Sequence, residues 1–446
     1  MKLYPGYKKL FNIISSIQAA ILAILLLIPI NFSHAQTVAD LQKQIGQKNS
    51  DISSLEQEIA AYQSELDNLG QQKSSLNKSI QELDLTRKKL NADIAITQKK
   101  IDKTNLTIES LSSDISIKED AIATNRDSIS LGIKSTNEYE EGNIVGTLLS
   151  QNDFTTIWND VDNIVAVRES IIKNIAQLKK AKGDLENTKN ETVIAKNQLT
   201  ALKSKLADQQ KIVEQNTKEK NQLLKQTKNS ESNYQKLLKD RIAKRDAFEK
   251  ELRDYEAELQ FILDPSKLPS SGVLSWPLEK VFVTQLFGKT VAAKRLYASG
   301  THNGVDFRAS VGTPVMAMAD GTVLGTGDTD LTCQGASFGK FVFIQYNNGL
   351  SSTFGHLSLI KAYEGEQVKR GEVVGYSGAT GHVTGPHLHV SLYASQAVKM
   401  ASKASASCDG RIYRLPVAPV NAYLDVLYYS PPYILNTSIL NNKPTE

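Results

Sequence analysis

Four histidines and one aspartate stand in three glycine-bounded segments near the carboxyl end of this 446-residue sequence. The first segment carries His302 and Asp306, the second carries His356, and the third carries His387 and His389. Side chains at positions i and i+2 of a β-strand point to the same face, so the last two histidines can both face one cleft.

Imidazole and carboxylate groups are ligands that zinc prefers in catalytic sites, where three protein ligands leave a fourth position for water. His302, Asp306 and one histidine of the 387/389 pair could supply that set. The two histidines that remain could then act as acid–base or electrostatic groups. The spacing therefore predicts a zinc site, with purely structural histidines as the alternative. His382 is predicted to be a loop residue at the cleft rim.

Short strands are expected to position these residues. Apolar runs such as Phe341–Ile344 and Leu388–Val390 alternate with glycine-containing turns, which is typical of a compact, mainly β domain. We predict that this domain covers residues 272–430 and that a tail of residues 431–446 follows it.

The upstream part of the chain has a helical pattern. Isoleucine and leucine recur at heptad a and d positions from Ile45 to Ile115, and a second seven-residue row runs from Ile164 to Val213. A 3.5-residue repeat of this length predicts a coiled coil. The expected fold class is α + β with several domains: a long antiparallel coiled-coil hairpin over residues 36–264, then the mainly β domain.

The two ends of that hairpin also have a sequence signature. Its tip is expected near residues 131–160, where Phe154 and Trp158 could bind a partner or simply cap the coil. Pro265 ends the helical pattern, so residues 265–271 are predicted to be a linker.

Residues 1–35 have the pattern of an export signal. Three lysines within the first nine residues precede an apolar stretch, and Ser33-His34-Ala35 fits the small-x-small pattern before a cleavage site. An uncleaved N-terminal membrane anchor is the alternative, because residues 10–32 are long enough to span a bilayer. Either alternative predicts an exported protein of the periplasm, cell envelope or extracellular space.

Charge and cysteine content add two expectations. The formal net charge is +4, and lysines and arginines are interspersed with acids rather than concentrated in a patch, which argues against a nucleic-acid partner. In an exported chain the two cysteines, Cys333 and Cys408, are expected to form a disulfide, with two free thiols as the alternative.

Over residues 272–395 the sequence resembles lysostaphin-type (LytM) zinc metallopeptidases. The motifs that carry the resemblance are His302-x-x-x-Asp306, Gly312–Val315, Ala319–Val323, Gly339-x-x-Val-x-Ile344, Asn348–Ser358, Gly365-x-x-Val-x-x-Gly371, Gly375–Gly381 and Thr384–His389. The resemblance implies that His302, Asp306 and His389 hold Zn²⁺. It assigns catalytic roles to His356 and His387, and it implies cleavage of peptide stems or cross-links of bacterial peptidoglycan.

The order of signal, coiled coil and LytM-type domain resembles envelope factors of cell division. In that group the coiled coil docks on a division-associated membrane complex related to ABC transporters, and some members have lost metal ligands and activate amidases. This sequence keeps all five site residues, which favours an active peptidase. The alternatives are a catalytically silent activator of a cell-wall amidase and a coiled-coil tether with a wall-binding head. The coil is expected to mediate recruitment or autoinhibition.

Overall fold

A computed structural model describes residues 38–141, 154–259, 264, 266, 268–296 and 300–434. The predicted signal segment, and parts of the predicted tip, linker and tail, lie outside these residues. Among the residues described, none of the helices combines the length and the apolar character needed to cross a membrane.

Four long helices form the N-terminal region. They are α1 (Val38–Gly70), α2 (Leu76–Glu141), α3 (Phe154–Thr227) and α4 (Glu231–Glu258). Helices α2 and α3 are antiparallel: Asp84 pairs with Lys220 at 2.7 Å, and Glu119, later in α2, pairs with Lys189, earlier in α3, at 2.9 Å. The predicted combination of an antiparallel helical region and a mainly β domain is therefore confirmed.

The first predicted arm differs from the expectation, because it is two helices rather than one. Helix α1 folds back on α2, as the ion pairs Lys48–Asp102 at 3.2 Å and Lys99–Asp51 at 2.8 Å demonstrate. The chain turns after Gly70, and Ser75 Oγ accepts a hydrogen bond from the backbone N–H of Lys78, which caps α2. A heptad pattern identifies the apolar face of a helix but not the helix that covers it.

The C-terminal domain contains twelve strands among the described residues. They are β1 (Val283–Gln285), β2 (Val305–Arg308), β3 (Pro314–Met316), β4 (Gly321–Asp328), β5 (Lys340–Tyr346), β6 (Leu350–Ile360), β7 (Gln367–Val368), β8 (Val373–Ser377), β9 (His387–Ala394), β10 (Lys399–Ala404), β11 (Ile412–Val417) and β12 (Tyr423–Leu424). Two short helices accompany them, α5 (Val291–Leu296) and α6 (Val426–Tyr429).

Ten of these strands form one antiparallel sheet with the order β1-β2-β9-β6-β5-β4-β7. Strand β8 pairs with β3 and β6, and β12 pairs with β9 beyond the end of β2. Strands β10 and β11 form a separate hairpin. The main core packs against the sheet through fully buried side chains such as Phe307, Phe354 and Leu388. The central position of β9 keeps its histidines on a rigid element.

A second apolar cluster joins α4 to the β domain. Phe248 of α4 is fully buried and packs edge-on against Tyr413, with ring centroids 5.2 Å apart. The same cluster contains the disulfide between Cys333 and Cys408, whose Cα atoms are 5.5 Å apart. The structure thus confirms the expected disulfide.

A third cluster packs α2 and α3 against another part of the β domain. Leu90, Ile212 and Tyr376 are each 1% exposed, and the Tyr376 hydroxyl donates to Asp208 Oδ2 at 2.9 Å. Backbone contacts divide the described residues into two compact units: those up to Gln47 with those of Lys103–Lys196, and Lys48–Asp102 with those from Asn197 onward. The second unit therefore includes the β domain together with α4, residues 48–70 of α1, residues 76–102 of α2 and residues 197–227 of α3.

Candidate active site

The antiparallel pairing of β2 with β9 brings three of the predicted site residues together. Asp306 on β2 is the direct cross-strand neighbour of His389 on β9. His302 lies just before β2, where its backbone bridges to Gly288. The three side chains are buried, and one potential ligand atom from each lies within 4.8 Å of the other two. They could therefore hold one metal ion.

The three inward-facing atoms form a small triangle. His302 Nε2 lies 3.1 Å from His389 Nδ1 and 3.3 Å from Asp306 Oδ1, and the third side measures 2.9 Å. Tetrahedral zinc ligands at about 2.0–2.1 Å from the ion are separated from one another by about 3.3 Å. Because the triangle has nearly the dimensions of one face of such a tetrahedron, the donor set fits zinc.

Neighbouring groups orient both imidazoles of this triangle. His302 Nδ1–H donates to the carbonyl of Leu286 at 3.0 Å, so Nε2 of this imidazole faces the centre of the triangle. Ser391 Oγ forms a hydrogen bond with His389 Nε2 at 2.8 Å, so Nδ1 of His389 is the ring nitrogen that faces Asp306. Burial raises the pKa of Asp306, but the histidines beside it outweigh that effect and hold its pKa well below the usual range. The aspartate is thus anionic at neutral pH, as a candidate metal ligand should be.

Gly304 is required by the close approach of His389. A Cβ at this position would come within 2.7 Å of the imidazole of His389 and within 2.4 Å of the carbonyl oxygen of Val390. The glycine between His302 and Asp306 in the first motif therefore makes room for the third member of the triangle.

His356 and His387 lie beside the triangle, with ring centroids 4.7 Å apart. Each donates its Nδ1–H to a backbone carbonyl at 2.8 Å, that of Thr380 and of Gly385 respectively. Each histidine is thus left with Nε2 for chemistry, and Nε2 of His387 is 3.6 Å from Asp306 Oδ1. Burial, followed by the nearby His387 and His389, holds the pKa of His356 well below its usual range, so this imidazole is neutral at pH 7.

The backbone of His356 is strained, with φ of +62° in a region that side chains other than glycine rarely adopt. Its N–H donates to the Phe338 carbonyl at 2.7 Å, which fixes this conformation where the β5–β6 pairing changes register. Strain of this kind persists where the surrounding structure imposes it, and it is common at functional sites.

Helix α4 covers a cavity to which His302, His356 and His389 contribute. Glu249, Leu252, Arg253 and Glu256 of α4 line it, together with residues of the β domain that include His302, Asn303, Ser337, Phe338, His356, His382, His389 and Tyr423. The cavity has a volume of about 120 Å³. Sites that bind drug-sized ligands have volumes of roughly 300–1,000 Å³, so the covered cavity is too small for a peptide.

Three glutamates hold α4 in this position. Glu249 accepts from His382 Nδ1 at 2.6 Å, and Glu256 accepts from the Tyr423 hydroxyl at 2.6 Å. Glu251 accepts from Ser405 Oγ at 2.9 Å and from the Ser407 N–H at 3.3 Å. His382 thus lies in the cavity lining and outside the metal triangle. The sequence pattern does not predict the contact of His382 with α4, because the two residues that form it are 133 positions apart.

Comparison with known proteins identifies the domain that contains the site. Residues 300–401 match the family model described as Peptidase family M23. A 91-residue segment is 43% identical to the peptidoglycan DD-endopeptidase ShyA of Vibrio cholerae, covering 20% of this chain and 20% of that protein. A 133-residue segment is 32% identical to the cell division protein DipM of Caulobacter vibrioides, covering 30% of this chain and 20% of that protein.

Among solved structures, the catalytic domain of lysostaphin from Staphylococcus simulans matches with 31% identity and a TM-score of 0.23. That match covers 25% of this chain and 80% of the lysostaphin domain. The chain spans only about a fifth of the length of the two curated relatives. The family match confirms the LytM-type resemblance for residues 300–401, which form a peptidase M23 domain.

Proposed function

We propose that the chain is an exported zinc endopeptidase that cleaves peptide bonds in the stems or cross-links of bacterial peptidoglycan. The observation that carries this proposal is the triangle of His302 Nε2, Asp306 Oδ1 and His389 Nδ1, with two further imidazoles beside it. The similarity to ShyA, a peptidoglycan DD-endopeptidase, supports the substrate class. Export by residues 1–35 and a peptidase domain over residues 272–430 belong to the same proposal.

The proposed chemistry divides the five residues into two groups. His302, Asp306 and His389 would hold the zinc ion, which when bound lowers the pKa of a water ligand from about 15.7 toward 7 and polarises a carbonyl group. His356 is neutral and buried, and its Nε2 can accept a proton from a nucleophilic water. His387 holds its Nε2 at the edge of the triangle, where a protonated imidazole would stabilise negative charge on the substrate oxygen.

The proposal includes autoinhibition by α4. This helix contributes four residues to the lining of the cavity and buries Phe248 in the domain that carries the site. A peptide could reach the histidines only after α4 has moved, since the covered cavity is too small. We therefore expect the full chain to be less active than a chain in which α4 is displaced.

Recruitment is the second role proposed for the helices. In the first compact unit, large apolar side chains are exposed on α2 and α3: Ile117, Leu131, Ile133, Val165, Ile172, Ile175, Val193 and Ile194. Apolar side chains exposed together on a helical surface are a common feature of protein interaction sites. It supports docking on a partner such as a division-associated membrane complex, and the similarity to a cell division protein agrees with that role.

Digestion of purified sacculi tests the proposed activity. Zinc-loaded full-length protein, with α4 displaced by Phe248→Ala, should release soluble fragments, and mass analysis of the new termini identifies the bond. His302→Ala and chelation should each abolish the release. Fragment release that survives both treatments would refute the zinc mechanism. If the protein releases nothing but stimulates an added amidase, the silent-activator alternative replaces it.

A further inference from the structure

A carboxylate occupies a defined position inside the covered cavity. Oε1 of Glu249 accepts a hydrogen bond from Nδ1 of His382 at 2.6 Å and a longer one from the backbone N–H of Ser337 at 3.4 Å. The two donors are tied to each other, because the His382 N–H donates to the Ser337 carbonyl at 2.9 Å. Both line the cavity that also contains His302, His356 and His389.

We propose that His382 and the Ser337 N–H form a carboxylate-binding subsite of the cleft, and that Glu249 fills it in place of a carboxylate of the substrate. This inference rests on the proposed function, since it assumes that a peptide enters this cleft. It adds a specificity to that function: the preferred peptide bears a carboxylate beside the bond that is cut.

The β domain holds both donors without help from α4. Asp330 accepts from the N–H groups of Gly381 at 3.0 Å and Gly335 at 2.7 Å, which joins the segment of Ser337 to the loop of His382. The disulfide at Cys333 anchors the same segment. The subsite therefore keeps its shape when α4 leaves, and its two donors then lose this acceptor. A substrate carboxylate would restore these hydrogen bonds.

Glu251 provides a contrast within the same helix. Its carboxylate is bound by Ser405 and Ser407 in the turn that carries Cys408, and it does not belong to the lining of the cavity. A glutamate that only anchors the helix, such as Glu251, need not lie near the site histidines. Glu249, in contrast, lies in the same cavity as those histidines. The placement of Glu249 further implies competition, because α4 and an acidic peptide would require the same two donors.

Binding of small peptides to the zinc-loaded full chain tests the subsite without requiring turnover. The probes are acetyl-alanyl-glutamyl-alanine amide, its glutamine counterpart as amide, and the glutamine counterpart with a free C-terminal carboxylate. Isothermal titration calorimetry would be performed on the wild-type protein, Glu249→Gln and the matched control Glu251→Gln. We expect Glu249→Gln to bind at least one carboxylate peptide roughly tenfold more tightly than the uncharged peptide. The wild type and the control should discriminate far less.

The double variant Glu249→Gln with His382→Asn should lose this preference. The double variant Glu249→Gln with His382→Gln, whose amide donor is on a longer side chain, should retain part of it. Circular dichroism and zinc content would verify that each variant is folded. The peptide that gains affinity distinguishes a side-chain carboxylate from a chain terminus. Equal affinities for all three peptides in Glu249→Gln, or a preference that survives His382→Asn, would overturn the subsite. If sacculi are not cleaved yet the preference is found, only the proposed function fails.

Discussion

Asp306 and His389 are direct cross-strand neighbours on β2 and β9, with His389 Nδ1 2.9 Å from Asp306 Oδ1. Neighbouring antiparallel strands fix the distance between their facing side chains. Two of the three atoms of the triangle are thus positioned by sheet hydrogen bonds, and a change of ligand chemistry at either position should alter metal binding without altering the sheet.

Asp306→Asn should weaken zinc binding by about 100-fold or more, because it removes the anionic ligand while preserving the shape of the side chain. The loss of groups that merely orient ligands already costs about 10–100-fold. Competition with a chelating dye measures the affinity. Asp320→Asn is the matched control, because Asp320 pairs with Lys369 away from the triangle. Unchanged zinc affinity in Asp306→Asn would contradict the assignment of this ligand.

His356→Gln should lower kcat by about 100-fold or more with nearly full zinc content, because it removes a proton acceptor and no ligand. Atomic absorption for zinc and a peptidase assay of the same preparations measure the two effects. Both proteins in this comparison should also carry Phe248→Ala, which displaces α4, so that the substrate has equal access to the two sites. If kcat falls only in proportion to lost zinc, His356 acts on metal retention rather than on proton transfer.

Phe248→Ala should release α4 and raise activity, because burial of this ring in the second cluster joins the helix to the domain. Truncation of a buried phenylalanine costs about 3 kcal/mol or more. Hydrogen exchange of α4 and peptidase rate should increase together. Ile242→Ala, at a 39% exposed position of the same helix, should change neither. Faster exchange with unchanged activity would show that α4 does not limit access.

Docking of α4 should weaken as pH rises through neutrality. Burial raises the pKa of Glu256 to about 7. The hydrogen bond from Tyr423 and the charge of Arg253 act in the opposite direction and lower this pKa. Tyr393 and Tyr413 are further titratable groups that interact electrostatically with Glu256. Since this pKa is raised above its ordinary value of 4.5, the stabilisation is complete below about 4.5 and is lost as pH rises through about 7. The effect is at most about 3 kcal/mol.

Hydrogen exchange of α4 between pH 5 and pH 8, corrected for intrinsic rates, measures this dependence. Glu256→Gln should flatten it, because glutamine keeps an acceptor for Tyr423 without a titrating group. A profile that stays equally steep in Glu256→Gln would assign the pH dependence to another residue.

Local spacing predicted a zinc site made of His302, Asp306 and one histidine of the 387/389 pair, because residues i and i+2 of a strand share a face whatever the rest of the fold does. The family resemblance, and not the spacing, singled out His389 as the third candidate ligand and His356 and His387 as the catalytic candidates. The return of α1 on α2 was missed because the heptads continue through the turn. Gly70 and the capping Ser75 were the available signals.

Autoinhibition by the coil was one of the two roles expected from the sequence, but the sequence could not identify α4 as the helix that covers the site. This covering depends on pairs such as Glu249 with His382 and Glu256 with Tyr423, which are 133 and 167 residues apart. Heptads describe α4 only as one more amphipathic helix, and they do not encode which surface receives Phe248. Such long-range pairs follow from the tertiary packing alone.

The disulfide between Cys333 and Cys408 spans 75 residues, and both of its ends lie in the surface that receives α4. A cross-link of this span lowers the entropy of the unfolded chain by an amount worth about 4 kcal/mol. That stabilisation belongs to the β domain alone and is independent of whether α4 is bound. The helix can therefore leave and return while its receiving surface stays folded, so the autoinhibition proposed for α4 would be a reversible docking step rather than a partial unfolding of the β domain.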